Sequence, residues 1–173
     1  VRRLISPRKL ISGLTAAALM LAGLLTLWTS PAAAATGTQC TSSQTKVFFL
    51  PSISPVEVRV YMCVQSSYGN GYYTRKPWAQ ISWTRTDPHM YKFDNFGSRV
   101  RLEHNDDDYT TDYCNYTADI NTYNDGTRYC YAPSYTSSSP VNGWTSDGHI
   151  RWNMDGDGGG DFIWSLLGSP QVS

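Results

Sequence analysis

The chain has 173 residues with 14 basic and 14 acidic side chains. Four of the basic residues (Arg2, Arg3, Arg8 and Lys9) precede residue 36 and no acidic one does, so residues 36–173 carry 14 acids against 10 bases, a net charge of minus four. With no basic face to offer, neither nucleic acid nor anionic lipid is an expected partner.

Those four basic residues lead into an uncharged apolar stretch, LISGLTAAALMLAGLLTLW (10–28), and SPAAAATG then supplies small residues for cleavage after Ala35. This is the order of a secretory signal peptide over residues 1–35. The alternative is an uncleaved anchor, because the stretch is nearly long enough to span a bilayer; Pro31 and the alanine run favour removal. What remains, 36–173, is long enough for one secreted domain with a real core. The expected location is extracellular, with no membrane attachment after cleavage and a monomeric state. All four cysteines (Cys40, Cys63, Cys114 and Cys130) lie in the exported part, and an even number in an oxidising compartment implies two disulfides. Three pairings are open; Cys40–Cys63 and Cys114–Cys130 close the shorter loops and are favoured. No Cys-x-x-Cys spacing supports a zinc site.

The exported part is rich in tyrosine, threonine, serine, tryptophan and valine, the composition of strands and turns. KVFFL (46–50) is a short first strand. Pro51 and Pro55 close off any helix before VEVRVYMCV (56–64), where Val56, Val58, Val60, Met62 and Val64 alternate with Glu57, Arg59, Tyr61 and Cys63. After the turn signal YGNGYY, WAQISWT (78–84) places Ala79, Ile81 and Trp83 on one face. MYKFDNF (90–96) and SRVRLEH (98–104) flank Gly97 and are expected to form a hairpin, with Val100 and Leu102 inward. TRYCYA (127–132), HIRWNM (149–154) and DFIWSLL (161–167) follow, set apart by YNDGTR, SSSPVNGW and MDGDGGGD. About eight short strands at this spacing predict an all-β fold, a single antiparallel β-sandwich or a partly closed barrel.

One stretch looks like built chemistry. In NMDGDGGGDFIW (153–164), Asn153, Asp155 and Asp157 place acceptor side chains on alternate residues. Gly158 falls where such a loop must turn, Gly159 offers its carbonyl, and Asp161 is positioned to bind directly or through water. The other reading is a hairpin loop whose glycines and aspartates only supply turn conformations, but three carboxylates within seven residues repel unless neutralised. The segment resembles the calcium loops of FG-GAP and VCBS-type repeats, which run Asp-x-Asn/Asp-Gly-Asp-Gly-x-x-Asp into an apolar strand; dockerin loops are similar. The resemblance covers about a dozen residues in a single copy, so the arrays and adhesive roles of those repeats do not transfer. Trp164 stands where an EF-hand places its bidentate glutamate, and the flanks read as strands. The resemblance implies a structural calcium ion, Ca2+, that pins a loop between two late strands.

Other candidates are weaker. HNDDDYTTD (104–112) is a second acidic cluster, read as a solvated loop because three consecutive aspartates do not converge on one ion. His89, His104 and His149 are scattered, and TSDGH (145–149) is too local for a triad. Glu57 and Glu103 lie on strand faces read as solvent-facing, so no glycosidase pair is expected and no catalytic residue is assigned. The aromatic residues are more informative. Tyr68, Tyr72, Tyr73 and Trp78 surround GNGYYTRKPW, and Tyr109, Tyr113, Tyr116, Tyr123, Tyr129, Tyr131 and Tyr135 recur later. Rings with one polar edge suit sugars and protein interfaces, although strands favour tyrosine in any case. The chain as a whole is similar to small exported proteins of Gram-positive bacteria. The expected function is a non-catalytic secreted β-sandwich module, disulfide-stapled and calcium-stabilised, that binds an extracellular ligand through loop aromatics, with carbohydrate or cell-wall polymer favoured and a protein ligand second. The alternatives are an inhibitor of secreted hydrolases working through SSYGNGYYTRKPW and a small hydrolase using acidic residues near HNDDDYTTD.

Overall fold

The computed structural model describes residues 36–49, 54–86, 92–156 and 158–173. The proposed leader 1–35, His89, Asp157 and the ends of the predicted strands 46–50 and 90–96 lie outside the described residues. The described residues form ten strands and one short helix: β1 (Gly37–Cys40), β2 (Gln44–Phe48), β3 (Val56–Gly69), β4 (Tyr72–Thr84), β5 (Phe93–His104), β6 (Asp107–Asn115), α1 (Thr117–Thr122), β7 (Asp125–Tyr131), β8 (Tyr135–Ser137), β9 (Trp144–Met154) and β10 (Phe162–Ser165).

The strands make two open antiparallel sheets, and among the described residues neither closes into a barrel. Sheet A runs β1-β3-β4-β7, with β2 also on β3 and β8 also on β4. Sheet B runs β10-β9-β5-β6. Period-two alternation sets the facing surfaces. Val56, Val58, Val60, Met62 and Val64 of β3 point inward with Ala79, Ile81 and Trp83 of β4, all essentially without solvent contact. Phe93, Phe96, Val100 and Leu102 of β5 and Ile150 of β9 meet them from sheet B. Phe48 is the hub of the main core, its ring edge-on to Phe93 (5.5 Å), Phe96 (5.8 Å) and Trp152 (5.1 Å). These T-shaped pairings suit the quadrupoles of aromatic rings.

Two-residue turns fix the hairpins. Asn70 (φ 53°) and Gly71 (φ 82°) turn β3 into β4, the positive-φ pair that a tight hairpin demands. Asn105 (φ 52°) and Asp106 (φ 68°) do the same between β5 and β6. HNDDDYTTD is therefore a hairpin turn and a strand, not a solvated loop. The hairpin expected around Gly97 is not formed, because β5 runs unbroken from Phe93 to His104. Gly97 instead sits mid-sheet, opposite Asn115 and Arg151, where any Cβ would collide with the ring and hydroxyl of Tyr113.

Helix α1 carries the chain from sheet B to sheet A and buries Ile120. Its Asn121 acts as a false strand edge: Oδ1 accepts from Lys92 N (3.2 Å) and Phe93 N (3.1 Å), and Nδ2 donates to Phe93 O (2.8 Å). The cysteines pair Cys40–Cys63, across β1 and β3, and Cys114–Cys130, from β6 of sheet B to β7 of sheet A. With its cysteines 16 positions apart in sequence, the second bridge stabilises by about 3 kcal/mol on chain-entropy grounds.

Truncating the hub is expected to be costly. Phe48→Ala should lower unfolding free energy by about 3–5 kcal/mol, measured by urea denaturation with the disulfides intact.

Candidate functional site

On the outward face of sheet A, alternation and register gather Trp78, Tyr129 and Tyr131 into one group. In β4 the residues between the core positions, Lys76, Trp78, Gln80 and Ser82, point away from sheet B. In β7 the same logic turns Cys130 inward and sends Tyr129 and Tyr131 outward, 48% and 46% exposed. Register then aligns Trp78 with Tyr131 on one side and Cys63 on the other, and Gln80 with Tyr129 and Tyr61. The rings meet: Trp78 lies 5.8 Å from Tyr129 and 6.3 Å from Tyr131, while Tyr129 and Tyr131 are 6.2 Å apart and within 19° of parallel. Lys76 Nζ sits 4.4 Å from the centre of the Tyr131 ring, a cation–π contact. Beside Trp78, the Cys40–Cys63 bridge ties β1 to the same face. Further along β3 and β4, Glu57, Arg59, Ser82 and Thr84 line a shallow depression of about 130 Å3. Arg59 Nε donates to Glu57 Oε1 at its rim (2.6 Å).

The four aromatics singled out around the GNGYY turn are divided by the pleat. Trp78 and Tyr72 belong to the outward face. Tyr68 and Tyr73, paired across the hairpin with rings 4.7 Å apart, belong to the opposite face. Tyr73 joins a different assembly, built on Arg75. Arg75 is fully buried, donates to Ser137 Oγ and Ser139 O (both 2.7 Å), and places its guanidinium 5.4 Å from the Tyr73 ring and 4.6 Å from the Trp144 ring. Trp144 in turn stacks between His104 (4.6 Å) and Tyr135 (4.9 Å). That assembly holds one end of the sandwich together.

The loop that resembles a calcium site follows β9. Asn153 pairs with Asn95 across the sheet, and its Nδ2 donates weakly to Gly159 O (3.5 Å). Its Oδ1 is buried without a hydrogen-bond partner. Asp155 and Gly156 turn the chain, Gly156 and Gly158 with positive φ, and Asp157 lies outside the described residues. Asp161 is already engaged: Oδ1 accepts from Asn95 Nδ2 (3.1 Å) and the carboxylate pairs with the Arg151 guanidinium. The Asn95 hydrogen bond, then Arg151, hold its carboxyl below the usual range. Among the described residues no group of three or more His, Cys, Asp or Glu side chains is placed to hold a metal.

Glu57 and Glu103 are on the outward faces of different sheets and do not converge. Glu103 is not free in solvent: it is only 8% exposed and sits under a second cluster. Arg101 donates to Glu103 (2.9 Å) and Asp147 (3.0 Å) and pairs with Asp108 (3.3 Å), joining β5, β6 and β9. One guanidinium thus serves three carboxylates. Burial first, then the neighbouring Asp147 and Asp108, push the Glu103 carboxyl up to about 7 despite Arg101. His149, on the same face beside Arg99, is held below its ordinary value by burial and by Arg99 and Arg101. Glu103, Asp108 and Asp147 are thus engaged by Arg101, while Arg99 donates to Thr111 Oγ1 (3.0 Å).

The raised Glu103 value makes a stability prediction. Between its ordinary value near 4.5 and about 7, the folded state keeps a proton that the unfolded state has lost. Stability contributed by this group is therefore greatest below pH 4.5 and declines as pH rises through 7. Glu103→Gln is expected to flatten that decline, read as the melting temperature from pH 4.5 to 8 for both proteins. A parallel decline in the two would contradict it.

Comparison with known proteins finds no match: no family model, no curated protein and no solved structure is significantly similar to this chain.

Proposed function

We propose that this is a secreted, non-catalytic carbohydrate-binding module whose ligand, an extracellular or cell-wall polysaccharide, lies across the outward face of sheet A. The observation that supports the reading is the Trp78–Tyr131–Tyr129 surface, with three rings in mutual contact and half-exposed tyrosines on a sheet face. A sugar ring presents an apolar C–H face and a rim of hydroxyls. Aromatic rings take the first, and the amides and hydroxyls interleaved with them take the second. Gln65, Gln80, Ser82 and Thr127 supply that polar component from neighbouring register positions. The depression beside the rings, about 130 Å3, is well below the roughly 300–1,000 Å3 of pockets that enclose a small ligand. A ligand that lies across the face suits this shape better than one swallowed by it. Two disulfides fit an oxidising compartment, and no helix among the described residues is long and apolar enough to cross a membrane.

Calcium is a structural addition to this reading. Among the described residues, Asn153 Oδ1, an acceptor without a partner, and the exposed Asp155 offer oxygens for it, and the ion would serve to neutralise and pin the loop. Because Arg151 already neutralises Asp161, the gain is small. The expected difference in melting temperature between calcium and chelator is about 2–4 °C. Identical melts, with no metal by elemental analysis, would remove calcium from the account.

A second reading rests on the β3–β4 hairpin tip, which extends past the end of β1 and leaves Tyr68 and Tyr72 60% and 53% exposed. Such a tip suits insertion into the active site of a secreted hydrolase. Glycan-array binding of the protein and of Trp78→Ala separates the two. The first reading expects a defined set of polysaccharides bound, weakened at least about tenfold by Trp78→Ala with the circular dichroism unchanged. A folded protein that binds no glycan but inhibits a secreted hydrolase through Tyr72 would establish the second.

A further inference from the structure

We infer that the polysaccharide taken by this face is acidic, a carboxylate-bearing chain running lengthwise along β4. The inference rests on the platform reading above and concerns only the charge and course of its ligand. Its first support is the charge of the face set against that of the chain. Residues 36–173 have four more acids than bases, yet the outward rows of sheet A from Lys76 to Ser82 hold a cation at each end. In order along β4, these rows are Gln65–Lys76, then Cys63–Trp78–Tyr131, then Tyr61–Gln80–Tyr129, then Arg59–Ser82–Thr127. No acidic residue stands in any of them. Glu57 and Asp125 belong to the next row, with Thr84, and Glu57 is already paired with Arg59.

The second support is the state of the two cations. Lys76 has no carboxylate partner among the described residues. Its ammonium is held against the Tyr131 ring, so it stands beside the stacking surface instead of wandering in solvent. Arg59 uses one nitrogen on Glu57, and its side chain remains 60% exposed. The six residue steps from the Lys76 row to the Ser82 row correspond to about 20 Å of strand. An extended chain of several sugars spans that length, with rings on Trp78, Tyr131 and Tyr129 and carboxylates near Lys76 and Arg59. Charge complementarity of this kind sets selectivity more than raw affinity, and it is screened by salt because the pairs are exposed.

Affinity electrophoresis tests the inference directly, using native gels that contain polygalacturonate or its fully methyl-esterified form, the same backbone without charge. The expected result is stronger retardation by the acid form, weakened by 0.5 M salt. Lys76→Gln should reduce affinity for the acid form about three- to fivefold and leave the ester unchanged, while Lys76→Arg retains it. Trp78→Ala should weaken both. Equal retardation by the two polymers, or an acid-form affinity indifferent to Lys76→Gln and to salt, would overturn the inference. Absence of retardation by either polymer would also overturn it. In that case, neutral glycans bound on the array through Trp78 would leave the platform reading standing, and no glycan bound anywhere would take both down.

Discussion

Thirteen consecutive residue pairs lock β3 against β4, from Glu57 opposite Thr84 to Gly69 opposite Tyr72, and the Asn70–Gly71 turn leaves that register no slack. Everything else in sheet A is referred to this pair, since β1, β2, β7 and β8 all add to one of its two strands. Because side chains alternate with a period of two, a slip by one residue would turn one strand of the pair over relative to the other. If β4 turned, Ile81 and Trp83 would leave the core and Trp78 and Gln80 would enter it; if β3 turned, Val58, Val60 and Met62 would leave and Arg59 and Tyr61 would enter. The burial of the first set is thus the same fact as the presentation of the second. The binding face proposed here is a by-product of how the core is made.

The remainder of the molecule secures that arrangement. Sheet B supplies the other half of the core, and Phe48 at the edge of sheet A reaches across to Phe93, Phe96 and Trp152. The Cys114–Cys130 bridge crosses between sheets, and the Cys40–Cys63 bridge fixes β1 beside Trp78. Sheet B's outward face is polar in a different way. Many of its charges are paired, three carboxylates on Arg101 and Asp161 on Arg151 with Asn95. The two outer faces of the sandwich therefore differ in character: one carries an ion-pair network centred on Arg101, and the other a set of rings beside a lysine that has no carboxylate partner among the described residues.

Much of this was legible in the residues and some was not. The alternation in VEVRVYMCV and WAQISWT names the buried face, and short-loop closure names the disulfides. The strand β6 is hidden because HNDDDYTTD has the charge of a loop; its antiparallel pairing with β5 and the positive φ of Asn105 and Asp106 show it to be a hairpin. Gly97 reads as a turn because a glycine between two apolar runs commonly is one; its actual task, admitting Tyr113, depends on β6, whose charged sequence resembles a loop. The aromatic site was half visible. An inward Cys130 already implies that Tyr129 and Tyr131 share the outward face, and an inward Ala79 implies the same for Trp78. What sequence spacing could not supply was the register that joins β4 to β7 across some fifty residues of chain. Without it, proximity along the chain grouped Trp78 with Tyr68 and Tyr73, which the pleat sends to the other side.

That division gives the most direct measurement of the central claim, that the outward face of sheet A and not the hairpin tip binds the ligand. Two double variants, Tyr129→Ala with Tyr131→Ala and Tyr68→Ala with Tyr73→Ala, should be titrated calorimetrically with the tightest glycan from the array. The account predicts that the first pair loses binding while retaining its fold, and that the second binds as the parent does. Binding that survives the first pair and disappears with the second would contradict it.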